Sequence, residues 1–191
     1  MINKLKQLRE ETGISMMDCK KALEETKGDI EKAKKILREK GKETLKDGCA
    51  RGLAGIITSY IHTGGRIGVL LELHSQTDFV AKSDEFNSLA REICLQITAT
   101  NPLFIREEDI TEKLLDGERK IYQKQMQDTD KPEKIVKQIL EGKISKYKKE
   151  ISLLSQPWVK DSTKTISDLI VDSTAKIGEK IEIGNFTRYE I

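Results

Sequence analysis

Two runs of strand-forming residues, Ile56-Ile-Thr-Ser-Tyr-Ile61 and Ile67-Gly-Val-Leu-Leu-Glu-Leu73, flank Thr63-Gly-Gly-Arg66. A glycine pair between β-branched runs specifies a tight hairpin, because its backbone reaches positive φ without a Cβ clash. If that turn pairs residue 62 with 67, then residue 74 lies opposite residue 55. A third strand is expected far along the chain, where Lys180-Ile-Glu-Ile183 alternates and Gly184-Asn185 can kink or bulge it. Every other periodic segment repeats as a helix. One hairpin and a distant third strand therefore predict an α+β fold, with a small antiparallel sheet of about three strands covered by helices.

The helices are punctuated by glycine. Leu5 and Leu8 line a first helix that stops at Thr12-Gly13. Ser15 caps a second, with Asp18 three residues on and Cys19, Ala22 and Leu23 facing inward. Asp29 caps a third, whose Ile30, Ala33, Ile36 and Leu37 keep helical spacing as far as Gly41. These three helices read as a module over 1–41, the charged stretch that follows as a linker over 42–53, and the remainder as an α+β core over 54–191. In that core, Phe86, Leu89, Ala90, Ile93 and Ile97 mark a helix from Ser83 to Asn101-Pro102. Further helices are expected from about Thr111 to Met126 and from Pro132 onward, and a last one from Thr165 to Gly178.

Charged residues make up 35% of the 191 and aromatics 5%, which suits a helix-rich protein. Lysine and arginine number 34 against 32 acids, a net charge of +2 that is too balanced to imply nucleic acid or membrane as the main partner. Residues 131–150 are locally basic, with seven lysines against three glutamates. A solvated helix face explains them, and an RNA- or ribosome-associated binding module is the alternative they leave open. Cys19, Cys49 and Cys94 are odd in number and widely spaced, the pattern of free thiols in a reducing cytoplasm. The N-terminus mixes acids with bases, so no signal peptide is expected, and no apolar run is long enough to span a membrane.

No catalytic constellation emerges, and no cofactor or metal is expected. His62 and His74 fall at opposite ends of the hairpin, roughly 20 Å apart at ~3.3 Å per residue, too far to share a metal. His74-Ser75 near Asp78 faintly suggests a triad, but adjacent strand residues point to opposite faces. Gly64-Gly65-Arg-Ile-Gly68 joins two strands, whereas a phosphate loop leads into a helix N-terminus. The chain reads as a binding protein rather than an enzyme.

Two places carry surplus apolar surface. At the corner after the second strand, Thr77-Asp78-Phe79-Val80 offers a Phe and a Val where a polar turn is expected. Either Thr77 or Asp78 caps a helix and Phe79 folds inward, or Phe79 is meant for another molecule. Met16 and Met17 are neighbours about 100° apart on a helix, so both rarely face one core. Either one is buried and the other exposed by chance, or both form an adaptable contact flanked by Arg9 and Lys20.

Three stretches resemble the bacterial elongation factor Ts family. They are Leu8–Leu23, Leu71-Glu-Leu-His-Ser-Gln-Thr-Asp-Phe-Val-Ala81, and Gly142–Asp161 with its Leu153-Leu-Ser-Gln-Pro-Trp-Val-Lys-Asp161. They come in the family's order. His74-Ser75 stands where Asn-Cys is common, and Trp158 where Phe is more usual. The length is that of the compact members, without room for a doubled core or a coiled-coil excursion.

The resemblance implies a guanine-nucleotide exchange factor that does no covalent chemistry. It would bind elongation factor Tu in its GDP and nucleotide-free forms, in the bacterial cytoplasm. The N-terminal helices would form a module like ubiquitin-associated domains, with Arg9, Met16, Met17 and Lys20 against the partner's G domain. Thr77, Asp78, Phe79 and Val80 would enter beside the partner's magnesium and phosphate site and dislodge the ion. A symmetric homodimer, through the sheet edge or the C-terminal strand, would supply the second half that longer members carry in one chain.

Overall fold

The computed structural model describes residues 2–46, 54–126 and 132–191, and these form two compact units. One comprises Met1–Thr98 with Ser167–Ile191, the other Ala99–Ile166.

The first unit opens with helices α1 (Ile2–Thr12), α2 (Met16–Glu25) and α3 (Ile30–Lys46), consistent with a module like ubiquitin-associated domains. Local chemistry sets their ends. Ser15 Oγ accepts from the Asp18 amide and the Asp29 carboxylate from the Lys32 amide, each supplying a hydrogen bond that the first turn of a helix lacks. Leu8, Cys19, Ala22, Leu23, Ala33 and Leu37 close a small core. So small a core is marginal alone.

The third helix corrects the expectation that it stops at Gly41. It continues to Lys46, so residues 42–46 of the expected linker are helical, while 47–53, with Cys49, lie outside the described residues. Gly41 serves closeness rather than termination. A Cβ there would lie 2.9 Å from the Val171 carbonyl oxygen and 3.0 Å from Ala175 Cβ, both on helix α8 (Ile166–Ile177). A glycine inside a helix costs about 1 kcal/mol relative to alanine, and here it lets two helices touch along their backbones. Ala175 packs against the N-terminal core, and Arg38 reaches Asp168 on the same helix. The module therefore leans on α8.

The sheet has the order β1 (Ala54–Ile61), β2 (Ile67–Ser75), β5 (Glu182–Glu190), antiparallel throughout. The hairpin register is as expected: the His62 amide donates to the Ile67 carbonyl (2.9 Å), and Gly55 lies opposite His74. The expected irregularity falls at Gly184, because Glu72 pairs with Asn185 while Leu73 pairs with Ile183. Alternation along β2 sends Val69, Leu71, Leu73 and Ser75 into the core. The opposite face leaves Ile57, Ile61, Leu70 and Tyr189 exposed. Helices α4 (Asp78–Ala81) and α5 (Asp84–Thr100) follow β2, and α5 buries Phe86, Leu89, Ala90, Ile93 and Ile97, the residues its periodicity marks. The single turn α4 has no periodic signature to read.

In the second unit, α6 (Glu112–Gln125) and α7 (Glu133–Ile151) are followed by the short hairpin β3 (Pro157–Trp158) and β4 (Asp161–Thr165), which the sequence reading did not foresee. Ile110, Leu115, Ile144 and Ile151 form its core, joined by Phe104, Tyr122 and Tyr147. Thr165 ends β4 and α8 begins one residue later. Three lysines of α7 have partners on the protein: Lys137 meets Glu133 at 3.1 Å, Lys146 meets Glu150 at 3.7 Å, and Lys143 lies over the Tyr122 ring.

Candidate functional site

The apparent catalytic fragments come apart in space. Ser75 is buried and its hydroxyl donates to the Thr77 carbonyl (2.8 Å), whereas His74 faces the other side of the sheet and meets Glu72 at 2.7 Å. His62 lies 3.3 Å from the Tyr60 hydroxyl at the far end of the hairpin. Among the described residues, no group of three or more His, Cys, Asp and Glu could hold a metal ion, and no helix is long and apolar enough to cross a membrane. Cys19 and Cys94 are free and buried, and burial pushes the Cys94 thiol up to about 11, which keeps it protonated at neutral pH.

A cavity of about 400 Å³ between α6 and α7 is lined by Leu140 and Ile144 with Arg119, Lys137 and Glu141 at its sides. Two of its cations, Arg119 and Lys137, are already engaged. Arg119 donates to Asp116 (2.8 Å) and Glu112 (3.2 Å), contacts that raise its pKa further, and Lys137 holds Glu133.

The corner is built differently. β2 ends at Ser75, Thr77 becomes the N-cap of α4, and the turn runs Asp78–Ala81. A single helical turn fixes several dihedrals for few hydrogen bonds and does not persist by itself. Tertiary contacts hold this one. Thr77 spends every polar group: its amide donates to Glu179 Oε2 (3.0 Å) and its hydroxyl donates to Glu179 Oε1 (2.7 Å) while capping the Val80 amide at 3.5 Å. Its carbonyl accepts from Ser75 Oγ and from the Ala81 amide. Ala81 is buried beneath.

On this support Phe79 is 84% exposed. Thr77 does cap a helix, as one reading of the corner required, yet Phe79 does not fold inward. Leaving an aromatic in water forgoes about 1.5–3 kcal/mol of burial. Beside it, Asp78 is exposed and pairs with Lys82 at 3.3 Å, and Val80 is half-buried.

Met16 and Met17 are both on the surface of α2, 40% and 67% exposed, whereas Cys19, Ala22 and Leu23 further along the same helix are buried. Neither was drawn into the core. Lys20, one turn on, is exposed and within 3.8 Å of Glu24, and Arg9 is exposed near the end of α1. Glu179 was not singled out in the sequence. It is 102 residues from Thr77 and belongs to no spacing pattern.

Comparison with known proteins identifies the family. The family model described as "Elongation factor TS" matches residues 19–191. "Elongation factor Ts" of Desulforamulus reducens is 49% identical over 188 residues, 98% of this chain and 87% of that protein. Its counterpart in Desulfitobacterium hafniense is 52% identical with the same coverage, and that of Thermotoga petrophila is 48% identical over 98% of this chain and 94% of its own length. With nearly half of its residues shared along almost its whole length, and with the Thr77–Val80 corner inside the matched region, the chain belongs to the elongation factor Ts family.

Proposed function

We propose that this protein is a translation factor of the bacterial cytoplasm that exchanges guanine nucleotide on elongation factor Tu. It binds the GDP form, promotes GDP release by disturbing the partner's magnesium and phosphate site, and leaves the nucleotide-free partner open to GTP. It makes and breaks no covalent bond. The observation that carries this reading is Phe79, a large apolar side chain 84% exposed on a turn whose polar groups are already engaged.

A GTPase holds GDP through phosphate-loop amides and a magnesium ion. A factor weakens that hold by stabilising the arrangement without nucleotide, and nucleotide weakens the factor's binding in the same ratio. Phe79 suits a wedge because it is rigid and fills a pocket without desolvating a polar group. The Asp78 carboxylate can accept hydrogen bonds from partner donors, holding the wedge in register, and its charge can disturb the magnesium shell; Val80 extends the apolar contact, and Thr77 orients the turn. Arg9, Met16, Met17 and Lys20 form a second contact on the G domain, where unbranched methionines adapt to the partner's surface. The three N-terminal helices act as the docking module and residues from 54 onward as the core that carries the corner.

The test is the release of fluorescent GDP from elongation factor Tu, with and without this protein. Acceleration that grows with factor concentration, and a complex that free GDP dissociates, are expected. A release rate unaffected by the factor would refute the reading.

The open face of the sheet supports a homodimer. Ile57, Ile61, Leu70 and Tyr189 stand exposed together across its three strands, with the C-terminal strand at one edge. A second copy related by a two-fold axis would bury this patch against itself. Light scattering at tens of micromolar, roughly where a weak dimer assembles, should give a dimer for the native chain and a monomer for Leu70→Lys. A native monomer there counts against it.

A further inference from the structure

We propose that Glu179 is a positioning residue for the Thr77–Ala81 corner: its carboxylate, brought in from the loop after α8, holds the turn in the pose that presents Phe79. This rests on the exchange reading of the corner and names a residue outside it. The geometry is specific. Both oxygens of one carboxylate engage one residue, Oε2 the Thr77 amide at 3.0 Å and Oε1 the Thr77 hydroxyl at 2.7 Å. Hydrogen bonds to a charged acceptor are about twice as strong as neutral ones, and a two-point contact also fixes direction.

The chain around Glu179 is built to deliver it. Helix α8 ends at Ile177, and Gly178 follows with φ +82°, a conformation that favours glycine and turns the chain out of the helix. The Gly178 amide closes on the Thr174 carbonyl at 2.8 Å. Two residues beyond Glu179, Ile181 is buried, and the neighbouring Lys180 meets Glu182 at 3.7 Å. Glu179 thus projects from a segment fixed on both sides. Opposite it, the corner has one helical turn of its own and a small buried anchor in Ala81. Ser75 secures the Thr77 carbonyl, but the Thr77 amide and hydroxyl both donate to Glu179. Without Glu179 both donors turn to water, and Phe79 samples a range of directions instead of one. Misplacing a rigid contact by about 1 Å can cost up to a hundredfold in a dependent rate.

The experiment compares full-length wild type with Glu179→Ala, Glu179→Gln, Thr77→Val and the Thr77→Val/Glu179→Ala double variant. It reads stimulated GDP release from elongation factor Tu, amide-hydrogen exchange at Thr77–Ala81, and thermal melting. Glu179→Ala should expose the Thr77 amide to exchange and slow stimulated release about tenfold, the loss expected for a charge-assisted pair. Core amides should keep their protection and the melting temperature should stay near that of wild type. Glutamine should restore part of the rate, since its oxygen accepts from the amide and its NH2 can donate to the hydroxyl oxygen. The double variant should lose less than the product of the two single losses, because both changes remove the Thr77–Glu179 contact and only Thr77→Val also removes the cap on the Val80 amide. An unchanged Thr77 amide in Glu179→Ala, independent multiplying losses in the double variant, or a rate loss that only tracks melting would each overturn the proposal. If wild type fails to accelerate GDP release, the exchange reading falls while the amide-exchange arm still decides the clamp: lost protection supports it and retained protection overturns it.

Discussion

Phe79 and the Met16–Met17 pair both place apolar side chains in water, on opposite kinds of support. Phe79 rides on a single turn, held through Thr77 by Ser75 on one side and Glu179 on the other. The methionines ride on a ten-residue helix that keeps its own hydrogen bonds and buries Cys19, Ala22 and Leu23. At the corner the side chain is stiff and the backbone needs tertiary ties. On α2 the backbone is secure and the side chains are flexible. A rigid aromatic in a fixed pose suits one shaped pocket, whereas methionines settle on a surface of varied shape. Under the proposed exchange function, the corner would act in the nucleotide-free state and the methionine face would hold the partner whichever nucleotide it carries.

The largest expected effect breaks this comparison if it fails. Phe79→Ala should reduce stimulated GDP release about thirtyfold, the ~2 kcal/mol typical of a central aromatic anchor. The free protein should lose under ~1 kcal/mol, because the ring is exposed, whereas a core Phe→Ala costs ~3–5 kcal/mol. Nucleotide release and thermal melting of the same sample decide it. A large melting loss with normal release would make Phe79 a structural residue. The smaller effect sharpens the contrast. Met16→Ala with Met17→Ala should raise the factor concentration needed for half-maximal release about fivefold, or ~1 kcal/mol, while leaving the rate at saturation near wild type. A fall in the saturating rate with unchanged affinity would place the methionines in the exchange step itself.

The N-terminal module offers a second contrast between what spacing implied and what packing decided. The caps at Ser15 and Asp29 are local signals, and both form as the sequence implies. In Asp29 this is visible electrostatically: the Lys32 amide and side chain hold its carboxyl below the ordinary 3.8. Such a group stabilises the fold above that value, and its contribution fades as pH falls through its lowered one. Gly41 gives the same local signal as the glycines that end α1 and α2, yet it lies inside a helix. The difference is Val171 and Ala175, which come from 130 or more residues away and are invisible to a window of sequence.

Hydrophobic period, caps and turn residues determined the long helices and the three strands of the main sheet, the hairpin register, the bulge at Gly184 and the surplus of apolar side chains at the corner and on α2, but not the turn α4 or the short β3–β4 hairpin. Each feature so determined is fixed by neighbours within a few residues, where backbone sterics and short-range hydrogen bonds act. The resemblance of three stretches to the elongation factor Ts family was legible in the same way. Tertiary structure alone decided that Phe79 points outward, that α3 runs past Gly41 against α8, and that the open sheet face gathers Ile57, Ile61, Leu70 and Tyr189. It alone brought Glu179 to Thr77. A single turn at a strand end carries too few local hydrogen bonds to choose its own orientation, so the choice falls to a carboxylate 102 residues away.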